Sequence, residues 1–281
     1  MSPKKTTDAA NKPSALLFLD FILLVMIVTS VVLMPKVFAG QGSAHSDNES
    51  RLLLDKLSLQ IDGRIGEMKL IAKSIANDPF IHDWVEQGFA EDKEALLLEK
   101  LQYFVDEYAL TSASFADKNT NKYWNHEGFL RVLDPEIDTW YFAYLKSGAQ
   151  DLISVYHDQN KKRVDIYVNY QQISGNGLSG IATSFDGIFD MLSTSKLNNS
   201  GSLYLLNSVG DIQVHSDKRL SEINEKLGNI SDVVSGFAIE EILTSGETSK
   251  TVVHTNESKS ITTSHLPNMN GYLILIKPLS E

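Results

Sequence analysis

The chain has 281 residues, 42% of them hydrophobic, a formal net charge of −11 and no cysteine. That apolar content supplies a folded core and argues against a disordered chain. The acidic balance argues against a nucleic-acid partner, because phosphate binding needs a basic face, and the missing cysteines exclude disulfides, thiolate metal sites and cysteine nucleophiles.

The segment Ser14 to Phe38 is apolar through Met34 apart from Asp20 near its start. Roughly 20 apolar residues are what a helix needs to cross a hydrocarbon core, so 14–38 is predicted to span a membrane. Lys4, Lys5 and Lys12 precede it, and Lys36 is the one cation close behind. The positive-inside bias keeps a cytoplasmic tail at 1–13 and exports the remainder. This predicts a single-pass protein of the bacterial inner membrane with its C-terminal part in the periplasm. Val37-Phe38-Ala39 leaves open a second reading, a signal peptide cleaved after Ala39.

A short polar linker, Gly40 to Asn48, leads into a helical pattern at 44–78. Leu54, Ile61, Met68 and Ile75 fall seven apart, with Leu57 and Ile71 between them. Such a stripe packs either on its own domain or on a second copy as a coiled-coil seam. A homodimer through this helix is therefore one expectation. Asp78-Pro79 ends the helix, since the residue before proline is biased out of the helical region.

A second helix is predicted from about Lys93 to Tyr108. A strand, Ser112 to Ala116, follows, then a turn from Asp117 to Asn121 and a short helix from Asp138 to Ser147. Strands are predicted at Leu152 to His157 and Val164 to Gln172, and Ser174-Gly175-Asn176-Gly177 is a strong turn signal. The strand Leu178 to Phe185 leads into a helix from Asp186 to Thr194. A smaller unit begins near Asn198. It has strands at Ser202 to Asn207 and Ile212 to His215, a helical stretch from Ile230 to Thr244, and strands at Lys250 to His254, Lys259 to Ser264 and Gly271 to Lys277. The predicted class is α+β. An N-terminal transmembrane helix and a long membrane-proximal helix carry two tandem PAS-like antiparallel sheets, one within 79–195 and one within 196–281.

Asp138-Thr139-Trp140-Tyr141, then Tyr156, then the strand from Gly180 to Asp186 leading into Ile188-Phe189 resemble the double Cache extracellular sensor domains of bacterial chemoreceptors, sensor kinases and diguanylate cyclases. The hairpin Leu205 to Ile212 is similar to the one that opens the second unit of that family. The resemblance covers about 44 to 279. It implies a ligand pocket in the membrane-distal sheet, with the Trp-Tyr pair on the helix above it, the tyrosine on the next strand and the aspartate at the later strand's end. The implied ligand-binding set is Asp138, Trp140, Tyr141, Tyr156 and Asp186. In amino-acid-binding relatives an arginine stands two residues before the tryptophan. Here that residue is Asp138, and Leu133 occupies about the place of a further tyrosine, so a carboxylate reverses the charge preference there.

Aromatic faces with carboxylates suit a cationic amine or an amine-bearing metabolite. Each residue also has a plainer structural role. Asp138 and Asp186 are good helix caps, and Trp140 and Tyr141 fit a core. By alternation Asp165, Tyr167 and Asn169 share one strand face, a structural or solvent-exposed role being expected for each.

The seven histidines are scattered without metal spacing, and no nucleophile elbow or phosphate loop is present. No enzyme activity, cofactor or metal is expected. The expected partners are a small-molecule ligand and a membrane or cytoplasmic signalling partner or output domain. A periplasmic ligand-capturing protein and a non-binding assembly factor are the alternatives.

Overall fold

The computed structural model describes residues 48–158, 163–199, 201–217, 227–234, 243, 249–254 and 259–278. The predicted tail and spanning segment, 1–13 and 14–38, lie outside them. Among the described residues no helix is long and apolar enough to cross a membrane.

Helix α1 occupies 48–76. Its heptad stripe, Leu54, Leu57, Ile61, Met68, Ile71 and Ile75, is buried in the protein's own core. These stripe residues thus pack within the chain. The exposed leucines of this helix are Leu52, Leu59 and Leu70.

Asp78-Pro79 does two jobs where one was expected. It stops α1 and also starts helix α2 (Pro79–Glu86). The Asp78 carboxylate accepts the backbone N–H groups of Phe80 and Ile81, and proline stands in the first turn, where its missing N–H costs nothing. Helix α3 (Glu91–Glu107) opens with Glu91, Asp92 and Glu94, three acids that complement the positive end of its dipole. Trp84 of α2 and Leu97 and Leu101 of α3 are buried in the same core as the α1 stripe.

The first sheet is antiparallel and runs β3-β2-β1-β6-β5-β4. Its strands are β1 (Ser112–Asp117), β2 (Lys122–Asn125), β3 (Gly128–Val132), β4 (Asp151–Asp158), β5 (Arg163–Gln171) and β6 (Gly177–Ser184). Strand alternation divides the faces. Ala113, Phe115, Val164, Ile166, Val168 and Trp124 join the core with α1. Helix α4 (Thr139–Ser147) lies against the opposite face, where Tyr141 and Tyr144 pack with Ala116 and Leu178. The Tyr144 hydroxyl donates to the Gln150 carbonyl at 2.8 Å and pins the helix end to the sheet. Helix α5 (Asp186–Thr194) and a 3₁₀ turn (Lys196–Asn199) lead to the second sheet.

That sheet is antiparallel too, in the order β8-β7-β11-β10-β9. It comprises β7 (Ser202–Asn207), β8 (Ile212–His215), β9 (Ser249–His254), β10 (Lys259–Leu266) and β11 (Gly271–Pro278). Of the predicted helix 230–244, the turn α6 (Ile230–Val233) is described, with Asn229 and Asp232 forming a capping box; most of the remainder lies outside the described residues. Leu203, Leu205, Leu266, Leu273 and Leu275 extend the core that contains α1, so both sheets and the long helix share one apolar cluster.

Polar contacts add registration. Asn268, in the β10–β11 turn, donates its backbone N–H to Asp62 Oδ1 at 2.7 Å and its amide to Oδ2 at 2.9 Å. Gly66 lies beside this clamp, where a Cβ would come within 2.9 Å of the Asn268 amide nitrogen. His157 of β4 meets the Gln213 carbonyl of β8 at 3.0 Å. Helix, first sheet and second sheet are thereby joined at two defined points.

Candidate ligand-binding site

The face of the first sheet that α4 covers at one end is open further along. A cavity of about 490 Å³ lies there, within the size range of small-molecule sites. Cross-strand register builds its floor. One row runs Leu152, Asn169, Gly180, Ser114, and the next runs Ser154, Tyr167, Ala182, Ser112. Directly paired residues point to one side of a sheet, and all eight of these line the cavity. Gly180 keeps the floor low, since a Cβ there would meet Asn169 Oδ1 at 2.6 Å and Ser114 Oγ at 3.0 Å. Tyr156, Trp140, Tyr123 and Arg131 form the walls.

Among the described lining residues Arg131 is the one ionised side chain. Its Nε and Nη2 both bond to the Asp138 carboxylate, which also accepts the Asp134 backbone N–H at 2.9 Å. The Arg131 hydrogen bond holds the Asp138 carboxyl below the usual carboxylate range; burial opposes this and the Asp134 N–H reinforces it. Arg131 is half-exposed while Asp138 is buried, so the pair shows its cationic side to the cavity. Burial raises the hydroxyl pKa of Tyr123 and Tyr167. Both phenols stay protonated near neutral pH and serve as neutral donors.

The five residues singled out from sequence divide. Trp140 and Tyr156 line the cavity, 41% and 56% exposed. Tyr141 is fully buried beneath α4, its hydroxyl donating to Asn121 Oδ1 at 3.3 Å. Its helical position next to Trp140 turns it into the core. Asp138 stands behind Arg131 and makes no side-chain cap of α4; the nearby guanidinium and the Asp134 N–H take its oxygens instead. Asp186 is exposed at the start of α5, bonded to the Ser184 hydroxyl at 2.6 Å, and does not line the cavity. It is the first helical residue, with Phe185 in the cap position, so it is not a side-chain cap either.

Conversely, Tyr167 and Asn169 line the cavity although a structural or exposed role was expected for them. Their shared face was legible from alternation, and their pairing with Ser154 and Leu152, on the face of Tyr156, decides its direction. Arg131 lies on β3, a strand whose mostly exposed residues give little alternation to read.

No family model matches the chain. Solved structures do. The ligand-binding domain of the Pseudomonas aeruginosa amino acid chemoreceptor PctC, in complex with GABA, superposes with a TM-score of 0.61 at 12% identity, covering 83% of this chain and 99% of that one. The extracellular domain of the putative histidine kinase vpHK1S-Z8 gives 0.59 at 12% identity, covering 86% and 93%. The sensory domain of the Campylobacter jejuni chemoreceptor Tlp3, with isoleucine bound, gives 0.53 at 13% identity, covering 84% and 95%. The chain has the Cache sensor-domain fold. In Cache terms, the cavity lies in the first of the two sheets and the long helix α1 precedes both.

Proposed function

We propose that the chain is a membrane-anchored extracytoplasmic sensor module. It binds a small amino-acid-like metabolite in the first-sheet cavity and passes the signal inward, through the long helix, to a cytoplasmic output domain or partner. In this reading 1–13 is a cytoplasmic tail, 14–38 the membrane anchor and 44–78 the stalk. The membrane-distal subdomain is 79–195 and the membrane-proximal one 196–281. The module performs no catalysis.

The observation that carries this reading is the cavity itself. Hydroxyls, an amide, aromatic faces and one guanidinium converge on a space of small-molecule size. Two structural neighbours are solved with GABA and with isoleucine bound, which supports an amino-acid-sized ligand. A bare cationic amine fits less well than it did from sequence, because Asp138 is engaged by Arg131 and Asp186 lies off the cavity. A ligand that also carries a carboxylate finds a partner in Arg131.

Thermal unfolding of the full chain in lipid nanodiscs tests this against the common L-amino acids, γ-aminobutyrate and simple alkylamines. A ligand at a hundred times its Kd stabilises by about 2.7 kcal/mol. The expected result is an upward shift of the midpoint with at least one amino acid, absent in Trp140→Ala and in Tyr156→Ala. No shift with any compound would point to the assembly-factor alternative. N-terminal sequencing of the mature protein distinguishes an anchored sensor from a released capture protein: a new terminus after Ala39 means release.

A further inference from the structure

A second recess, of about 370 Å³, opens at the edge of the first sheet, where the residue after α1 meets the start of β4 and the β5–β6 turn. Among the described residues none lines both this recess and the first-sheet cavity. Tyr170 shows why the two are separate. It follows Asn169, which lines the cavity, and alternation turns it the opposite way, into the core with α1. Tyr170 is 7% exposed and borders the recess from below. Its hydroxyl accepts the Gln150 side-chain N–H at 2.7 Å. Among the described residues no acceptor stands against its own proton.

One wall of the recess is fixed by hydrogen bonds. Gln172 Oε1 accepts the Gly177 backbone N–H at 3.0 Å, and Nε2 meets Asn77 Oδ1 and His82 Nε2, each at 3.0 Å. Asn77 in turn donates Nδ2 to the Lys73 carbonyl at 2.7 Å. Gly175 makes room for the amide, since a Cβ there would come within 2.2 Å of Gln172 Oε1. Among the described lining residues none is ionised. Two lysines of the neighbourhood are engaged by other groups. Lys118 donates its ammonium to the Gln172 backbone carbonyl, and Lys69 pairs with Asp151 at 3.2 Å. A charged ligand would therefore leave water without gaining an opposite charge. The polar lining is made of side-chain amides, a phenol and the Ser174 hydroxyl. Each of these groups both donates and accepts, and so does an alcohol. Ile173, 60% exposed, adds an apolar surface suited to the C–H side of a sugar ring.

We propose that this recess is a second ligand site and takes a neutral saccharide, free or as the end of a longer glycan. The Tyr170 hydroxyl donates to a sugar oxygen, and the Gln150 amide bonds a neighbouring hydroxyl. The recess works independently of the first-sheet cavity, whatever ligand that cavity takes.

Saturation-transfer NMR titration of the full chain in nanodiscs of plain phospholipid provides the test. The probes are D-glucose, D-galactose and D-mannose, with D-glucuronate and D-galacturonate as acids and D-glucosamine and D-galactosamine as amines. At least one neutral sugar should bind, and about tenfold more tightly than the acids and amines. Tyr170→Phe keeps the ring and removes only the hydroxyl, and Gln150 is exposed, so neither Tyr170→Phe nor Gln150→Ala threatens the fold. Each should weaken binding of that sugar about fivefold or more, the scale of one hydrogen bond. Trp140→Ala, in the other cavity, should leave it unchanged. A disaccharide ending in the same sugar separates the sources: retained binding means a glycan end, lost binding a free sugar. The proposal is overturned if no neutral sugar binds the wild type, or if the acids or amines bind as tightly. Wild-type binding in both Tyr170→Phe and Gln150→Ala overturns it too. Loss of binding in Trp140→Ala alone would move the sugar to the first-sheet cavity and likewise overturn it.

Discussion

Trp84→Ala is expected to lower the stability of the folded chain by about 3–5 kcal/mol, the range for deleting a fully buried large aromatic. Trp84 is 0% exposed and meets Phe89 and Trp124 at ring-centroid distances of 5.2 and 4.8 Å. Its indole N–H also donates to the Ala90 carbonyl at 3.0 Å, tying α2 to the start of α3. Alanine leaves a cavity between the helices and β2, and it leaves that carbonyl without its donor. At about 2–4 °C per kcal/mol for a domain of this size, the melting midpoint should fall by roughly 6–20 °C. Calorimetry of the variant checks this. Trp84→Phe should recover most of the loss, because it restores the ring but not the N–H.

Arg131→Ala should cost about 2–3 kcal/mol, less than the 3–5 expected for breaking a fully buried ion pair, because Arg131 is half-exposed and solvent screens the pair from its side. Asp138, buried and left with the Asp134 N–H alone, carries the penalty. Asp138→Asn should cost less, and the double variant less than the sum of the two, a coupling of about 1–2 kcal/mol in a double-mutant cycle. The same pair sets an acid limit. The folded pKa of Asp138 lies below its ordinary value, so its contribution is complete above the unfolded value near pH 4 and disappears as pH falls through the folded value. Denaturant titrations below about pH 4 should therefore show a steeper loss of stability in the wild type than in Asp138→Asn. A parallel pH dependence would mean that the pair contributes nothing.

The sequence made the fold legible because its signals were local and redundant. The β5–β6 pairing had alternation on both strands and a Gly-rich turn between them, and the structure joins them in register. The long helix was plain from its heptad stripe; what periodicity left open was what the stripe packs against. Burial of Leu54, Ile61 and Met68 in the protein's own core resolves that. Helix α2 was missed because Asp78-Pro79 was read only as a stop, although aspartate followed by proline is equally a start signal. Site residues were harder to read, for a physical reason. A strand or helix position gives the direction of a side chain only once the register of its neighbours is known. Trp140 and Tyr141 are adjacent on one helical turn, yet one borders the cavity and the other is core. Asp186 lies one residue beyond Phe185, which is buried, and points outward. Arg131 and Asp138 are only seven residues apart, but they meet across the turn between β3 and α4, whose path no periodicity reveals.

Hydrogen exchange of the full chain, with and without an amino acid that shifts its melting point, addresses the binding claim most directly. Slower amide exchange should concentrate on 112–114, 152–156, 165–169 and 180–182, the strands beneath the cavity. Protection confined to β7–β11, with those four segments unchanged, would put the ligand elsewhere and contradict the account.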